Sequence, residues 1–228
     1  MEAQSNSKSF NVFDFPEVKE ISLALFDKLL SESGRGAILV GMEYINDHLG
    51  NLIASILPNK SKKYHKQILE YPGPLSSFSA RIEMCYAFRY IQEPIYVSLH
   101  ALRKIRNEAA HSSSEFLFRD KRLKFDKIFS FIPSYPTFIR ERAMTLMVKY
   151  KIEGLKSVFR ENNLTIEEQK EQAEILLSDK DMLKKWEDEQ LPHWELIYGL
   201  TLLCGIISHR RAEIITYIAK KSTNNPPI

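Results

Sequence analysis

One short stretch of the sequence combines arginines and a histidine at helical spacing. Residues 96–111, YVSLHALRKIRNEAAH, place Arg106, Asn107 and His111 at the end of an apolar pattern with the period of an α-helix. Cleaving RNA without a metal requires a group that activates the ribose 2′-hydroxyl and a group that stabilises charge on the phosphate. A histidine can transfer the proton at neutral pH. An arginine can hold the phosphate through two parallel hydrogen bonds.

The spacing of these residues sets a geometric condition on that chemistry. Positions 106 and 111 of a helix lie about 140° apart around its axis. Arg106 and His111 therefore converge on one phosphate only if the helix ends before His111 or if a second chain supplies the other group. Three serines at 112–114 favour a turn at this point. The alternative is that both side chains only interact with the last carbonyls of the helix.

Further charged residues are candidates to assist. Glu43, in an earlier apolar helix, is expected to orient Arg106 or His111 through a charged hydrogen bond. Arg103 is expected to be a surface charge that contacts RNA or a second chain. The densest positive patch of the sequence is a connection at residues 58–74, which is expected either to be a solvated loop or to contact the phosphate backbone. Its lysines are Lys60, Lys62, Lys63 and Lys66.

Two other predictions concern charged and sulfur-containing side chains. Arg81 and Glu83 are expected to form a structural ion pair or cap. Cys85 and Cys204 both lie in apolar helical patterns, which predicts buried free thiols. The histidines show no metal-ligand spacing with carboxylates or thiols, and the chain has no glycine-rich phosphate loop or dinucleotide motif. The sequence therefore predicts no metal and no cofactor.

Composition and periodicity predict a folded, all-α protein. The chain has 228 residues, of which 44% are hydrophobic and 11% aromatic, which favours a folded core over disorder. A net charge of +3 does not by itself indicate a nucleic-acid binder. The predicted organisation is a loose arm at 1–15, one helical domain at 16–222 with a charged helical insertion at about 160–190, and a frayed tail at 223–228. The apolar C-terminal helix is expected to be central and buried.

The sequence also bears on localisation. No run reaches the roughly 18 apolar residues of a membrane span, and the best candidate, Leu196 to Ile207, is short. The start, MEAQSNSKSF, is polar and lacks the apolar segment of a signal peptide. A soluble, cytoplasmic protein with no membrane partner is therefore expected.

The middle of the chain resembles the mannitol-operon repressor family of bacteria. The resemblance covers roughly residues 22–130, and that family also has a glutamate at a place matching Glu43. The residues that carry it are Gly73-Pro74-Leu75, Phe78-Ser79, Arg81, His111, Glu115-Phe116, Phe118 and Asp120. This resemblance implies a helical bundle that serves as a non-catalytic transcriptional regulator and binds a protein partner. The chain shows no helix-turn-helix with a basic recognition helix, so direct reading of DNA is the weakest part of that alternative.

The segment Arg106-Asn107-Glu108-Ala109-Ala110-His111 resembles the motif of the HEPN superfamily, an arginine followed after four residues by a histidine. That superfamily consists of helical bundles, and many members are metal-independent ribonucleases of toxin–antitoxin and antiviral systems that pair two protomers around one cleft. The resemblance implies a homodimeric endoribonuclease in which Arg106 and His111 are catalytic and Asn107 assists. It also implies RNA as substrate, with an antitoxin or regulatory protein as a further partner.

Overall fold

A computed structural model of the chain describes residues 16–58, 60–113, 116–118, 122–132 and 137–224. All regular secondary structure in these ranges is α-helical apart from one isolated 3₁₀ position at Phe118, which confirms the predicted all-α class. The helices are α1 (Pro16–Leu30), α2 (Gly34–Ile56), α3 (Lys62–Leu69), α4 (Phe78–Ala87), α5 (Glu93–His111), α6 (Arg122–Ile128), α7 (Thr137–Glu161), α8 (Ile166–Ser178), α9 (Lys180–Glu189) and α10 (Leu191–Asn224).

The centre of the bundle is α10, as the apolar C-terminal sequence predicted. Helices α1, α2 and α7 pack against it, and its residues are buried almost without interruption from Leu191 to Ile207. The stretch Leu191–Lys221 is long and apolar enough to span a membrane by composition, but 83% of its most apolar window is buried in the fold. A core helix has the same composition, because both kinds of helix are apolar on every side.

Helix α2 connects this core to α4 and α5, which form an antiparallel hairpin on its other side. It begins after Ser33, whose hydroxyl accepts a hydrogen bond from the N–H of Gly36. Its buried positions recur at helical spacing and include Met42, Ile45 and Leu49. Helix α4 begins after Ser77, whose hydroxyl accepts from the N–H of Ala80. Helices α2 and α4 each form a wall beside α5, the helix that ends in the predicted motif.

The charged insertion predicted at about 160–190 forms two helices, α8 and α9. Helix α8 starts at a capping box in which Thr165 and Glu168 bond each other's backbone N–H groups. Helix α9 is attached to α7 through an ion pair between Arg140 and Glu187. The ammonium of Lys151 also lies 4.3 Å from the centre of the Trp186 ring.

Several predicted boundaries differ from those of the structure, and two predicted segments lie outside the residues that the structure describes. The basic connection at 58–74 contains the two-turn helix α3, where a loop was predicted. The first two residues of the predicted frayed tail, Thr223 and Asn224, belong to α10. The predicted N-terminal arm at 1–15 and the remaining tail at 225–228 fall outside the described residues.

Two glycines give opposite predictions for stability. A Cβ at Gly199 of α10 would overlap the buried ring of Phe129, whereas a Cβ at Gly154 of α7 meets nothing within 4 Å. Gly199→Ala is expected to lower the free energy of unfolding by about 1–3 kcal/mol, because the core must shift. Gly154→Ala is expected to raise it by about 0.5–1 kcal/mol, because alanine favours the helix. Urea unfolding of both variants measures the two changes in the free energy of unfolding. Changes of the same sign and size would contradict these predictions.

Two partly buried histidines predict a stability loss in mild acid. Burial lowers the pKa of His48, whose Nδ1 lies 2.9 Å from Ser208 Oγ, and it also lowers the pKa of His193. As the pH falls below about 6.5, the unfolded chain binds protons that the folded chain refuses, so stability is lost at up to about 1.4 kcal/mol per pH unit for each histidine. Melting temperatures between pH 7 and pH 5 should fall, and should fall less in His193→Phe. An unchanged slope in that variant would contradict the assignment.

Candidate functional site

Helix α5 presents the predicted motif to solvent. One face of the helix is buried against the bundle, and this leaves Arg106, Asn107 and His111 exposed at its C-terminal end. The buried residues of that face are Ser98, Leu99, Leu102, Ile105 and Ala109. The apolar stripe therefore fixes the rotation of α5, and with it the directions in which the three polar residues leave the helix.

Arg106 and Asn107 open onto a pocket of about 320 Å³ between α2, α4 and α5. Arg103, one turn earlier on α5, lines the same pocket, and Glu43 lines it from α2. The structure thus brings together four of the five candidate residues outside the lysine patch. Two guanidinium groups face one carboxylate, so the pocket carries a positive balance and suits an anion.

The hydrogen bonds of the pocket leave binding capacity unused. Arg106 Nη1 donates to Asn107 Oδ1 at 3.3 Å, and Asn46 Nδ2 donates to Glu43 Oε1 at 3.3 Å. Arg103 Nε is buried and has no hydrogen-bond partner among the residues that the structure describes. A buried donor without a partner costs roughly 1–3 kcal/mol.

The predicted orienting contact of Glu43 is not formed within the described residues of one chain. No ion pair joins Glu43 to Arg106 or His111 there, although Glu43 and Arg106 line the same pocket. The carboxylate is held by Asn46 of its own helix instead. A role for Glu43 beside Arg106 stays a prediction, whereas a contact with His111 in the same chain does not fit this arrangement.

His111 lies away from the pocket. Helix α5 includes His111 as its last residue, and the N–H of Ser112 still bonds the carbonyl of Glu108 at 2.9 Å. The helix therefore ends at His111 and not before it, so the first of the two conditions for convergence on one phosphate is not met. Since the helix is continuous, Arg106 and His111 remain about 140° apart around its axis. One chain alone does not direct both groups at one phosphate.

Arg81 has the structural role that the sequence predicted but a different set of partners. It is buried and donates to Asn46 O at 2.9 Å, Asn46 Oδ1 at 2.8 Å, Leu69 O at 2.8 Å and Leu75 O at 2.9 Å. The expected ion pair with Glu83 is wrong. Glu83 lies instead beside His100, with Oε1 3.1 Å from Nε2, and accepts from the Tyr96 hydroxyl.

Arg81 also connects the bundle to the pocket. It fixes Asn46 through both the backbone and the side chain, and Asn46 in turn holds Glu43. Asn46 was not predicted as a site residue, and neither were the pocket residues at the start of α4, Ser77 to Ser79. The available signal was the three-residue spacing of Glu43 and Asn46, which places them on one face of α2.

Three of the predicted lysines lie in α3 and Lys60 precedes it, and none of the four lines this pocket. Lys60 Nζ donates to the carbonyl of Ser55 at 2.6 Å, which satisfies a carbonyl in the last turn of α2. Lys62, Lys63 and Lys66 are exposed. An RNA contact of these lysines stays a prediction.

The remaining titratable and thiol groups do not form a second centre of this kind. Cys85 and Cys204 are buried as predicted, and burial raises the pKa of the Cys85 thiol to about 12 and raises that of Cys204 as well. Both thiols are therefore protonated and unreactive at neutral pH. In the described ranges, no three His, Cys, Asp or Glu side chains are grouped as metal ligands.

A larger cavity of about 770 Å³ lies elsewhere, where the start of α2 and the segment 116–118 meet the α9–α10 junction. It is lined by Phe118, His193 and Trp194 among others, and by none of the motif residues. We therefore take the smaller pocket, which holds Arg106 and Asn107, as the candidate site.

Comparisons of the chain with protein-family models, with curated proteins and with solved structures each found no match.

Proposed function

We propose that the protein is a HEPN-type, metal-independent endoribonuclease that acts as a homodimer in the cytoplasm, as a toxin or antiviral effector. The observation that carries this proposal is that Arg106 and Asn107 line a pocket together with Arg103, while His111 is exposed at the end of the same helix. The residue types match the needs of the reaction, which are a cation for the phosphate and a proton carrier near neutral pH.

The proposed reaction is an internal transfer at phosphorus. The His111 imidazole removes the proton of the ribose 2′-hydroxyl, and the 2′-oxygen forms a bond to the adjacent phosphorus. The bond from phosphorus to the 5′-oxygen breaks, the leaving oxygen takes a proton from solvent, and the protonated His111 imidazole returns its proton to solvent. Arg106 stabilises the charge that develops on the non-bridging oxygens, and Asn107 assists by orienting Arg106. The products end in a 2′,3′-cyclic phosphate and a 5′-hydroxyl.

The need for two chains follows from the helix geometry. Arg106 and His111 leave the continuous helix α5 in directions about 140° apart, so a single copy offers them to different places. Across a two-fold axis, however, the same patch of both protomers meets itself. A dimer formed by the ends of two α5 helices would bring the arginine of one chain toward the histidine of the other.

The experiment that tests the proposal is cleavage of total RNA and tRNA by the purified protein in EDTA, followed by chemical analysis of the new ends. We expect cleavage that persists in EDTA and leaves cyclic-phosphate and 5′-hydroxyl ends. Absence of cleavage on several RNAs by a folded dimer would contradict the proposal. Cleavage that leaves 3′-hydroxyl ends would contradict the proposed mechanism.

A second function, that of a non-catalytic regulator resembling the mannitol-operon repressors, is favoured by a different observation. Aromatic and aliphatic side chains are exposed at the α4–α5 hairpin, where Phe88 is 62% and Val97 46% accessible. Exposed aromatics of this kind are enriched in protein interfaces. If the protein does not cleave RNA, a regulator that binds a protein partner becomes the better account.

A further inference from the structure

The pocket beside Arg106 has walls of opposite charge. Arg103 and Arg106 of α5 line one wall, and Glu43 of α2 lines another. At about 320 Å³, the pocket lies at the small end of the range for small-molecule sites, which is roughly 300–1,000 Å³. A ligand that fills it must therefore be small and must carry a negative group and a hydrogen-bond donor at separate ends.

The negative group of the ligand would lie at the α4–α5 side of the pocket. Arg103 and Arg106 line the pocket from this side, and the ten-residue helix α4 starts at the same pocket through Phe78 and Ser79. The first N–H groups of a helix have no partner within it and attract anions. Tetrahedral phosphoryl oxygens accept from a guanidinium and from backbone N–H groups at once. A phosphoryl group is therefore the anion that fits this end.

The hydrogen-bond donor of the ligand would lie at the α2 side of the pocket. An ionised Glu43 only accepts hydrogen bonds, and Asn46, itself held by the buried Arg81, limits its movement. Among the four RNA bases, guanine presents two adjacent N–H donors that a carboxylate can accept together, whereas uracil presents one N–H between two carbonyls. The ring of Phe78 lines the pocket and offers an apolar surface to the base.

We propose that this pocket is a guanosine-nucleotide subsite, in which Arg103 and the start of α4 bind the phosphoryl group and Glu43 binds the guanine edge. Its position next to a cleaved bond rests on the proposed ribonuclease function, but the binding of the nucleotide does not. In a ribonuclease, the subsite would direct cleavage to phosphates adjoining guanosine.

Equilibrium binding by calorimetry tests the subsite with guanosine, inosine and uridine 5′-monophosphates. Wild type is expected to bind the guanosine compound about tenfold more tightly than the inosine compound, which lacks the second donor, and than the uridine compound. Glu43→Gln should remove most of that preference. Arg103→Met should weaken all three nucleotides about tenfold and preserve their order. The matched controls, Glu20→Gln and Arg160→Met, alter exposed residues elsewhere and should bind like wild type.

The outcomes separate this proposal from the ribonuclease itself. Equal binding of the three nucleotides by wild type, or a preference that survives Glu43→Gln in a folded variant, would overturn the subsite. Guanosine-selective binding without any RNA cleavage would uphold the subsite and contradict the ribonuclease. Cleavage that depends on Arg106 but shows no preference for guanosine, together with unselective binding, would uphold the ribonuclease and overturn the subsite.

Discussion

Replacement of Arg106 or His111 by alanine is expected to reduce RNA cleavage by about 100- to 1,000-fold. Positioned proton transfer contributes about 10²–10⁴ to the rate of such reactions. A single group that stabilises transition-state charge contributes about 10²–10³. Cleavage rates of a labelled RNA in EDTA, measured at saturating enzyme, give the two losses directly.

The same variants should fold normally, which separates a loss of chemistry from a loss of structure. Both side chains are exposed, and exposed substitutions usually change the free energy of unfolding by no more than about 0.5 kcal/mol. Arg160→Ala and His209→Ala serve as matched controls on α7 and α10 and should cleave like wild type. Wild-type rates in Arg106→Ala or His111→Ala would contradict the assignment of the site.

Replacement of Arg81 by methionine is expected to lower the free energy of unfolding by about 3 kcal/mol. The substitution removes four hydrogen bonds and leaves the carbonyls of Leu69 and Leu75 and the side chain of Asn46 without their donor. Gly50 faces the guanidinium so closely that a Cβ there would lie 3.1 Å from Nη1, so the cation is tightly enclosed. Denaturant unfolding measures the loss.

Arg81→Met should also disturb the pocket, because Asn46 then loses the group that fixes it and Glu43 loses its support. Arg103→Met offers the matched control, since among the described residues Arg103 Nε has no hydrogen-bond partner, so the loss of this buried donor should not lower stability. A stability change below about 0.5 kcal/mol in Arg81→Met would contradict the role given to this residue.

The sequence predicted most of the helices because apolar periodicity and caps are local signals. The sequence carries caps at the starts of α4 and α5, where Ser77 and Pro94 stand, and the apolar stripe of α5 ends at His111 as expected. Helix α3 was missed because it has only eight residues within a lysine-rich stretch, too short for the helical spacing of Tyr64 and Ile68 to stand out. Its two turns depend on the surrounding fold, which the sequence does not display.

The candidate site was predictable only in part. Residue types and spacing identified Arg106 and Asn107, but the pocket also needs Asn46 and Ser79 from helices distant in sequence. The expected pair of Arg81 with a residue two positions later conflicts with helix geometry, because neighbours at that spacing do not face each other. The true partners of Arg81 are carbonyls and an amide, which carry no signature in the sequence.

The most direct test of the account is trans-complementation between two inactive variants in EDTA. If each site combines Arg106 of one chain with His111 of the other, a mixed dimer of an Arg106→Ala chain and a His111→Ala chain contains one site with both residues. Mixing and re-equilibrating the two proteins should then restore about a quarter of the wild-type cleavage, since about half of the dimers are mixed and each has one of two sites. Full exchange of subunits with no recovery of cleavage would contradict a site built across two chains.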